Sequence, residues 1–252
     1  DSFGNGVVID ASQNGTGAIL IKTSTSSLTI SSGVTVTIKG LNGYTKTITN
    51  KTGTYLLTDG EVVNNFYSVS KTAASGSNTL NYGLGTATND HILFAHSVDG
   101  QTCATGTAAV SRDVTVLGNG TDRTAITGNA SVNTNTNLKL QDLSISGSTL
   151  SGAGSISYTN TTLNNVSVGS TRSYFKSVVI PADSVVTETS VNSIYGAENI
   201  VLEGTLIIKE RGNYLVNNTT IISPSKTGIL KDTTYNTAPI FMWYVGDTLV
   251  ES

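Results

Sequence analysis

A short apolar triplet recurs along the second half of this chain and constrains its fold more than any other feature. Within each copy the second member follows three residues after the first, and the third follows two residues later. The copies are Leu140, Leu143 and Ile145; Leu163, Val166 and Val168; and Phe175, Val178 and Ile180. Because strand side chains alternate between two sides, the last two members face one interior, and the longer gap lets the chain turn a corner and still point inward.

The recurrence of this triplet predicts a β-solenoid. A repeat of about 20 to 25 residues with one such corner is typical of a solenoid coil, which cannot bury its apolar face alone and must stack on a neighbour. Helical periodicity is nearly absent, and Val, Ile and Thr dominate the apolar runs. We therefore expect an all-β fold, mainly a parallel β-helix or β-solenoid.

The pattern changes along the chain and divides it into four segments. Residues 1–40 contain short alternating strands and are interpreted as N-terminal β coils. Residues 41–109 have irregularly spaced aromatics and are interpreted as an inserted or flanking β-rich region. Residues 110–231 carry the clearest coils. Residues 232–252 are expected to form a C-terminal cap or an inter-subunit segment, since a solenoid leaves an open sheet edge at its end.

Composition excludes several classes of function. Only 12% of the residues are charged and the net charge is −3, so no basic surface for nucleic acid is expected. The single cysteine, Cys103, excludes an internal disulfide and offers no cysteine cluster for a metal ion. No apolar run reaches the roughly 18 residues of a membrane span, and no cofactor is expected. The chain starts at Asp1 rather than Met, which fits a processed mature form or an excised piece of an exported or virion-borne protein.

Carboxylates and histidines are the first places to look for catalysis. Glycan cleavage needs two carboxyl groups within about 5 to 10 Å of each other, and Asp183 and Glu188 are the pair that could approach across a coil. The alternative is that both are solvated surface carboxylates. His91 and His96 are five residues apart and face opposite sides of a strand, so they do not share a metal ion. The sequence assigns no catalytic residue and no metal ligand.

Aromatic side chains provide the candidate binding residues. Tyr174, Tyr195 and Tyr214 recur at spacings of 21 and 19 residues, close to one coil each. On one outer face they would form a ladder that stacks on sugar rings, while Asn, Thr and Asp bind hydroxyls. The alternative is a stack that stabilises the coil.

The aromatic C-terminus provides the candidate interface residues. Residues 237–245 concentrate the only Trp, the only Met and two other aromatics. Phe241, Trp243 and Tyr244 are predicted to contact another subunit. The alternative is a cap packed over the last coil.

Three segments together resemble the coils of right-handed parallel β-helix proteins, in particular bacteriophage tailspikes and fibres and secreted bacterial adhesins. The segments are residues 137–147, NLKLQDLSISG; residues 162–168, TLNNVSV; and residues 198–208, ENIVLEGTLII. The resemblance implies a thin, stable, often trimeric rod whose outer faces or tip meet a cell-surface polysaccharide. The chain departs from enzymatic tailspikes in being short and in lacking their acidic groove.

Three functional hypotheses follow for an extracellular or virion-surface protein. The first is a non-enzymatic spike or fibre subunit that forms a homotrimer and binds host-surface glycan. The second is a secreted surface filament or adhesin subunit that self-assembles through edge strands. The third is a polysaccharide depolymerase.

Overall fold

A computed structural model confirms the expected all-β architecture, with about 64% of the chain in strands and about 3% in helix. It divides the chain into two compact units, residues 1–66 and residues 67–252. The residues that the structure describes are 5–10, 19–21, 28–39, 45–53, 55–57, 62–63, 66–85, 90–95, 102–209, 219–233, 242–245 and 248–251.

The first unit contains two small sheets. Their strands are β1 Val7–Asp10, β2 Ile19–Ile21, β3 Leu28–Lys39, β4 Thr45–Gly53, β5 Tyr55–Leu57 and β6 Val62–Val63. In one sheet, β1 pairs in parallel with β3, and β3 pairs antiparallel with β4. In the other, β5 pairs antiparallel with both β2 and β6.

The second unit is a parallel β-solenoid of about six turns. Strands from the expected aromatic-rich segment, β7 to β9, belong to the same large sheet as the later coils. The elements are β7 Tyr67–Val69, α1 Leu80–Leu84, β8 Ile92–Ala95, β9 Thr102–Val110, β10 Val114–Leu117, β11 Ala125–Val132, β12 Asn137–Ser146, β13 Thr149–Asn164, β14 Val166–Ile180, β15 Val185–Glu188, β16 Ile194–Ala197, β17 Asn199–Leu202, β18 Thr205–Ile208, β19 Thr220–Ile222, β20 Ile229–Asp232, β21 Met242–Val245 and β22 Thr248–Glu251.

Each turn that the structure describes in full contributes one strand segment to each of three faces. Long strands such as β13 and β14 bend at the corners and pass through all three. Face A contains segments 67–69, 92–95, 114–117, 137–141, 155–159, 172–176 and 194–197. Face B contains segments 102–104, 125–127, 143–146, 161–164, 178–180, 199–202 and 220–222. Face C contains segments 107–110, 129–132, 149–152, 166–170, 185–188, 205–208 and 229–232.

The core is built from columns of inward side chains at matching positions of successive turns. One column on face A is at most 8% exposed along its length, and its members are Leu93, Val116, Leu140, Tyr158, Phe175 and Ala197. Inside it the rings of Tyr158 and Phe175 meet edge to face, with centroids 5.0 Å apart. Such stacking buries apolar surface that no single turn could bury alone.

The apolar triplets turn corners as expected, and each corner depends on one residue with positive φ. Asp142 (φ 57°) and Ser177 (φ 56°) lie in the longer gap of the first and third triplets, and Asn165 (φ 55°) lies in that of the second. Asn160 (φ 49°) occupies the equivalent corner in the turn between Asp142 and Ser177. Short polar side chains tolerate this left-handed backbone best. Asn160 Nδ2 also donates to Asp142 Oδ1 at 2.6 Å, which ties one turn to the next.

Helix α1 is joined to the solenoid by the guanidinium of Arg112. Its nitrogens donate to the carbonyl oxygens of Gly83 at 2.6 Å and Gly85 at 2.5 Å, at the end of the helix, and to that of Asp90 at 2.9 Å. Burial lowers the pKa of Arg112, and the charge of Asp90 opposes that shift. The planar fork of an arginine suits this role because it offers five donors in fixed geometry.

The C-terminal strands extend the solenoid sheet at the β19 edge. Strands β21 and β22 form an antiparallel hairpin, and Thr248 of β22 pairs antiparallel with Ile222 of β19. Trp243 and Tyr244 lie in β21, whereas Phe241 lies outside the described residues. Contact of these three residues with another subunit stays a prediction.

The carboxylate of Glu203 is expected to give the last described turns a pH-dependent stability. Its carboxylate accepts hydrogen bonds from the Ser225 N–H at 2.9 Å and the Thr227 hydroxyl at 2.8 Å. The hydrogen bond from the Ser225 backbone is the main cause that lowers the pKa of Glu203 from its ordinary value of 4.5. A lowered pKa in the folded state adds stability above the ordinary pKa, and this is lost as the pH falls through the folded-state value.

We therefore expect wild type to be more stable than Glu203→Gln above pH 4.5, with a difference that shrinks on acidification. Urea unfolding of both proteins between about pH 6 and pH 3 measures this difference. Glu198→Gln is the control, because Glu198 forms an exposed ion pair with Lys176. A difference between wild type and Glu203→Gln that does not change over this range would contradict the assignment.

Candidate functional site

Outward charged and aromatic side chains lie on face A of the solenoid. Between residues 102 and 170, the outward positions of faces B and C hold Ser, Thr, Ala, Asn and Gly, with no charge. Face A instead presents an outward column of Thr115, Lys139, Ser157 and Tyr174. Asn137, Ser155 and Arg172 form a second column beside it. Over these turns, a ligand that needs charge or aromatic surface on a strand therefore meets it on face A.

The structure brings two of the three predicted tyrosines together. The rings of Tyr174 and Tyr195 meet edge to face on face A, with centroids 5.8 Å apart and planes at 74°. Tyr195 is 43% exposed and Tyr174 is half-buried. The Arg172 guanidinium carbon lies 4.9 Å from the centroid of the Tyr195 ring, a cation–π contact worth about 0.5–1 kcal/mol at an exposed site. Tyr214 lies outside the described residues, and sugar binding by all three stays a prediction.

An open pocket of about 180 Å³ lies on the same face, two turns before the tyrosine pair. Its lining comes from three successive turns and comprises His91, Asp113, Val114, Thr115, Asn137 and Lys139. Sequence reasoning did not find this pocket. Its residues are adjacent only in the register between turns, and turns of unequal length hide that register in the sequence.

Hydrogen bonds fix the polar groups of this pocket. His91 Nδ1 lies 2.7 Å from the carbonyl oxygen of Asp113. Asp113 Oδ1 accepts from the Asn137 backbone N–H at 2.8 Å and from Asn137 Nδ2 at 3.2 Å. Each contact joins one turn to the next, so the regular stacking of the solenoid holds the pocket in shape.

Small side chains separate the pocket from the tyrosine pair. Ser157 lies between Lys139 and Tyr174 in the outward column, and Ser155 lies beside it between Asn137 and Arg172. Adjacent strands are about 4.8 Å apart, so the backbone positions of Lys139 and Tyr174, two strands apart, are separated by about 10 Å. The pocket and the aromatic pair therefore belong to one continuous surface.

The structure does not bring Asp183 and Glu188 together at the surface. Asp183 is exposed at a corner with φ 64°, whereas Glu188 is 0% exposed and points into the interior from face C. Glu188 Oε1 accepts from the Ile194 N–H at 2.7 Å, and Oε2 accepts from the Lys209 N–H. Glu188 is thus a structural carboxylate among the turns rather than part of an acid and base pair.

The described part of the chain contains neither a metal-ligating cluster nor a membrane-spanning helix. No group of three or more His, Cys, Asp or Glu side chains there is arranged to hold a metal ion. His91 lies in the pocket, whereas His96 lies outside the described residues. No described helix combines the length and the apolar composition needed to cross a membrane.

Searches of this chain against protein-family models, curated proteins and solved structures found no match. The solenoid fold is established by the structure, and the resemblance to tailspikes and fibres rests on the sequence segments alone.

Proposed function

We propose that this chain is a non-enzymatic structural subunit of an extracellular fibre or spike, carried on a virion or a cell surface, that binds surface glycans. The observation that carries the proposal is the cluster of Arg172, Tyr174 and Tyr195 on face A of an otherwise largely neutral solenoid. A tyrosine offers an apolar ring with a polar tip, and a sugar offers apolar C–H faces between hydroxyls. Glycans are accordingly the class of ligand that such a surface fits.

The solenoid scaffold suits a mechanical role because its turns are linked to one another. Backbone hydrogen bonds join the described turns to their neighbours, and side-chain hydrogen bonds such as that from Asn160 to Asp142 reinforce the corners. The hydroxyl-rich faces B and C carry little charge, which suits crowded or repeated assemblies. Self-association as a closed homotrimer is part of the proposal.

A head-to-tail filament is the less favoured candidate. Such a filament grows by adding strands to unpaired edges. Strand β22 already pairs antiparallel with β19, which occupies part of the edge that a following subunit would use.

Binding of surface polysaccharides to immobilised protein tests the proposal. We expect wild type to bind at least one acidic or neutral bacterial polysaccharide. Tyr195→Ala should bind it about tenfold more weakly, because the contact of the tyrosine ring with the sugar is lost; a tenfold change in affinity corresponds to about 1.4 kcal/mol. Tyr82→Ala is the matched control. Tyr82 is 37% exposed and also stacks on a tyrosine, Tyr67, at a centroid distance of 6.0 Å.

The polysaccharides of the binding experiment also show whether the protein is an enzyme, because cleavage releases new reducing ends. Binding without release of new reducing ends agrees with a non-enzymatic adhesin, whereas steady release would support the depolymerase. Equal weakening by Tyr195→Ala and Tyr82→Ala would contradict a role for the face A cluster.

A further inference from the structure

We propose that the pocket between His91 and Lys139 binds one acidic sugar unit, a ring that carries a carboxylate and several hydroxyl groups, as in a uronic acid. The inference rests on the proposed glycan-binding function and names the chemical class of the glycan. It is carried by the pocket on face A rather than by the tyrosine cluster.

The pocket is organised before any ligand arrives. A carbonyl oxygen can only accept, so in the contact with Asp113 the hydrogen lies on His91 Nδ1. In the neutral imidazole ring Nε2 is then an acceptor. Asp113 Oδ1 is taken by the two donors of Asn137, which orients its carboxylate. Groups held in place in this way need little ordering when a ligand binds.

The remaining groups define the chemistry of the ligand. His91 Nε2 and Asp113 Oδ2 offer acceptors, and the Lys139 ammonium offers three donors with a positive charge. No described residue forms an ion pair with Lys139. Donors from the ligand, which the hydroxyls of a sugar provide, suit the two acceptors, and Lys139 pairs most strongly with an anion. A ring with both hydroxyls and a carboxylate satisfies all three.

Simpler ligands fit less well. Sulfate would place an anion beside the Asp113 carboxylate without donors to offer it, and phosphate would bring few donors with its charge, while like charges in contact are unfavourable. A neutral sugar would offer Lys139 hydroxyl acceptors but no opposite charge, and charge-assisted hydrogen bonds are the stronger ones. The carboxylate of an acidic sugar pairs with Lys139, while its hydroxyls face His91 and Asp113.

Pocket size and position agree with one unit of a longer chain. The volume of about 180 Å³ is below the roughly 300–1,000 Å³ of sites for drug-sized ligands, so a single ring is the natural occupant. The pocket is open to solvent and continues over Ser157 toward Tyr174. The rest of a glycan can therefore follow face A.

Titration with free glucuronic acid, followed by saturation-transfer NMR, tests the proposal, and glucose is the neutral comparison. We expect glucuronate to bind wild type at least tenfold more tightly than glucose. Lys139→Gln should weaken glucuronate binding about tenfold and leave glucose binding unchanged, since a charge-assisted hydrogen bond is lost. Lys231→Gln, at an exposed lysine on face C, is the matched control and should bind like wild type.

Asp113→Asn separates a sugar site from a simple anion site. It removes a charged acceptor for hydroxyls, so glucuronate should bind more weakly; tighter binding would mean that only an anion is recognised and would overturn the proposal. Equal binding of glucose and glucuronate, or no effect of Lys139→Gln, would also overturn it. If glucuronate binds while polysaccharides do not, the pocket stands and the proposed function fails.

Discussion

Replacing Glu188 with alanine is expected to reduce the free energy of unfolding of the solenoid by about 3–5 kcal/mol, the sum expected when two backbone donors lose their buried acceptor. The carboxylate is fully buried and accepts the backbone N–H groups of Ile194 and Lys209. Alanine leaves both donors without this acceptor, and each unsatisfied buried group costs about 1–3 kcal/mol. Loss of packing in the inward column adds to this penalty.

Urea unfolding followed by far-UV circular dichroism measures the change. Glu198→Ala is the matched control because Glu198 lies in the next turn, is 61% exposed and forms an ion pair of 3.3 Å with Lys176. Exposed pairs contribute about 0–1 kcal/mol. Glu188→Gln should fall between the two, since an amide keeps one acceptor but turns an NH₂ group toward a donor. Equal stability of Glu188→Ala and Glu198→Ala would show that the buried carboxylate is dispensable.

The buried position of Glu188 shows what strand alternation predicts in this protein and what it does not predict. Val186 points inward, and strand alternation places Glu188 on the same side two residues later. The sequence therefore contained the signal. An acidic residue at an inward position contradicts the hydrophobic pattern, and the backbone donors of Ile194 and Lys209 help to explain why it is tolerated.

The fold itself follows from the triplets because burial in a solenoid is repetitive. Alternation identifies inward residues such as Leu140, Leu143 and Ile145, and all three are at most 2% exposed. The corner residues are less predictable. Asp142 and Ser177 occupy equivalent corners in nearby turns with nearly equal φ, yet their side chains share only small size and polarity.

The candidate site was only partly predictable because it depends on the register between turns. Tyr174 and Tyr195 are separated by about one coil, and their spacing indicated a common face. The pocket joins His91, Asp113 and Lys139, which lie in turns of different length. No local motif connects them, and only the pairing of β8, β10 and β12 places them side by side.

Gly204→Ala is expected to destabilise the solenoid by about 3 kcal/mol, the upper part of the range for overpacking a well-packed site. A Cβ at this position would lie 2.4 Å from the carbonyl oxygens of both Pro181 and Ser184. These are backbone atoms of the preceding turn, so they cannot rotate away as a side chain would. Gly228 occupies the equivalent corner of the next turn, where a Cβ would lie 2.1 Å from the Leu202 carbonyl oxygen.

Gly196→Ala separates this close approach from the general effect of replacing a glycine. Gly196 and Gly204 lie in the same turn, and neither has positive φ. A Cβ at Gly196 would meet only Tyr174 Cδ1, at an ordinary contact distance of 3.6 Å. Thermal unfolding should therefore show a near-wild-type Gly196→Ala and a strongly destabilised Gly204→Ala. Similar stability of the two variants would mean that the turns can move apart at this corner, and tight stacking of backbone on backbone would then not limit which residues the corner accepts.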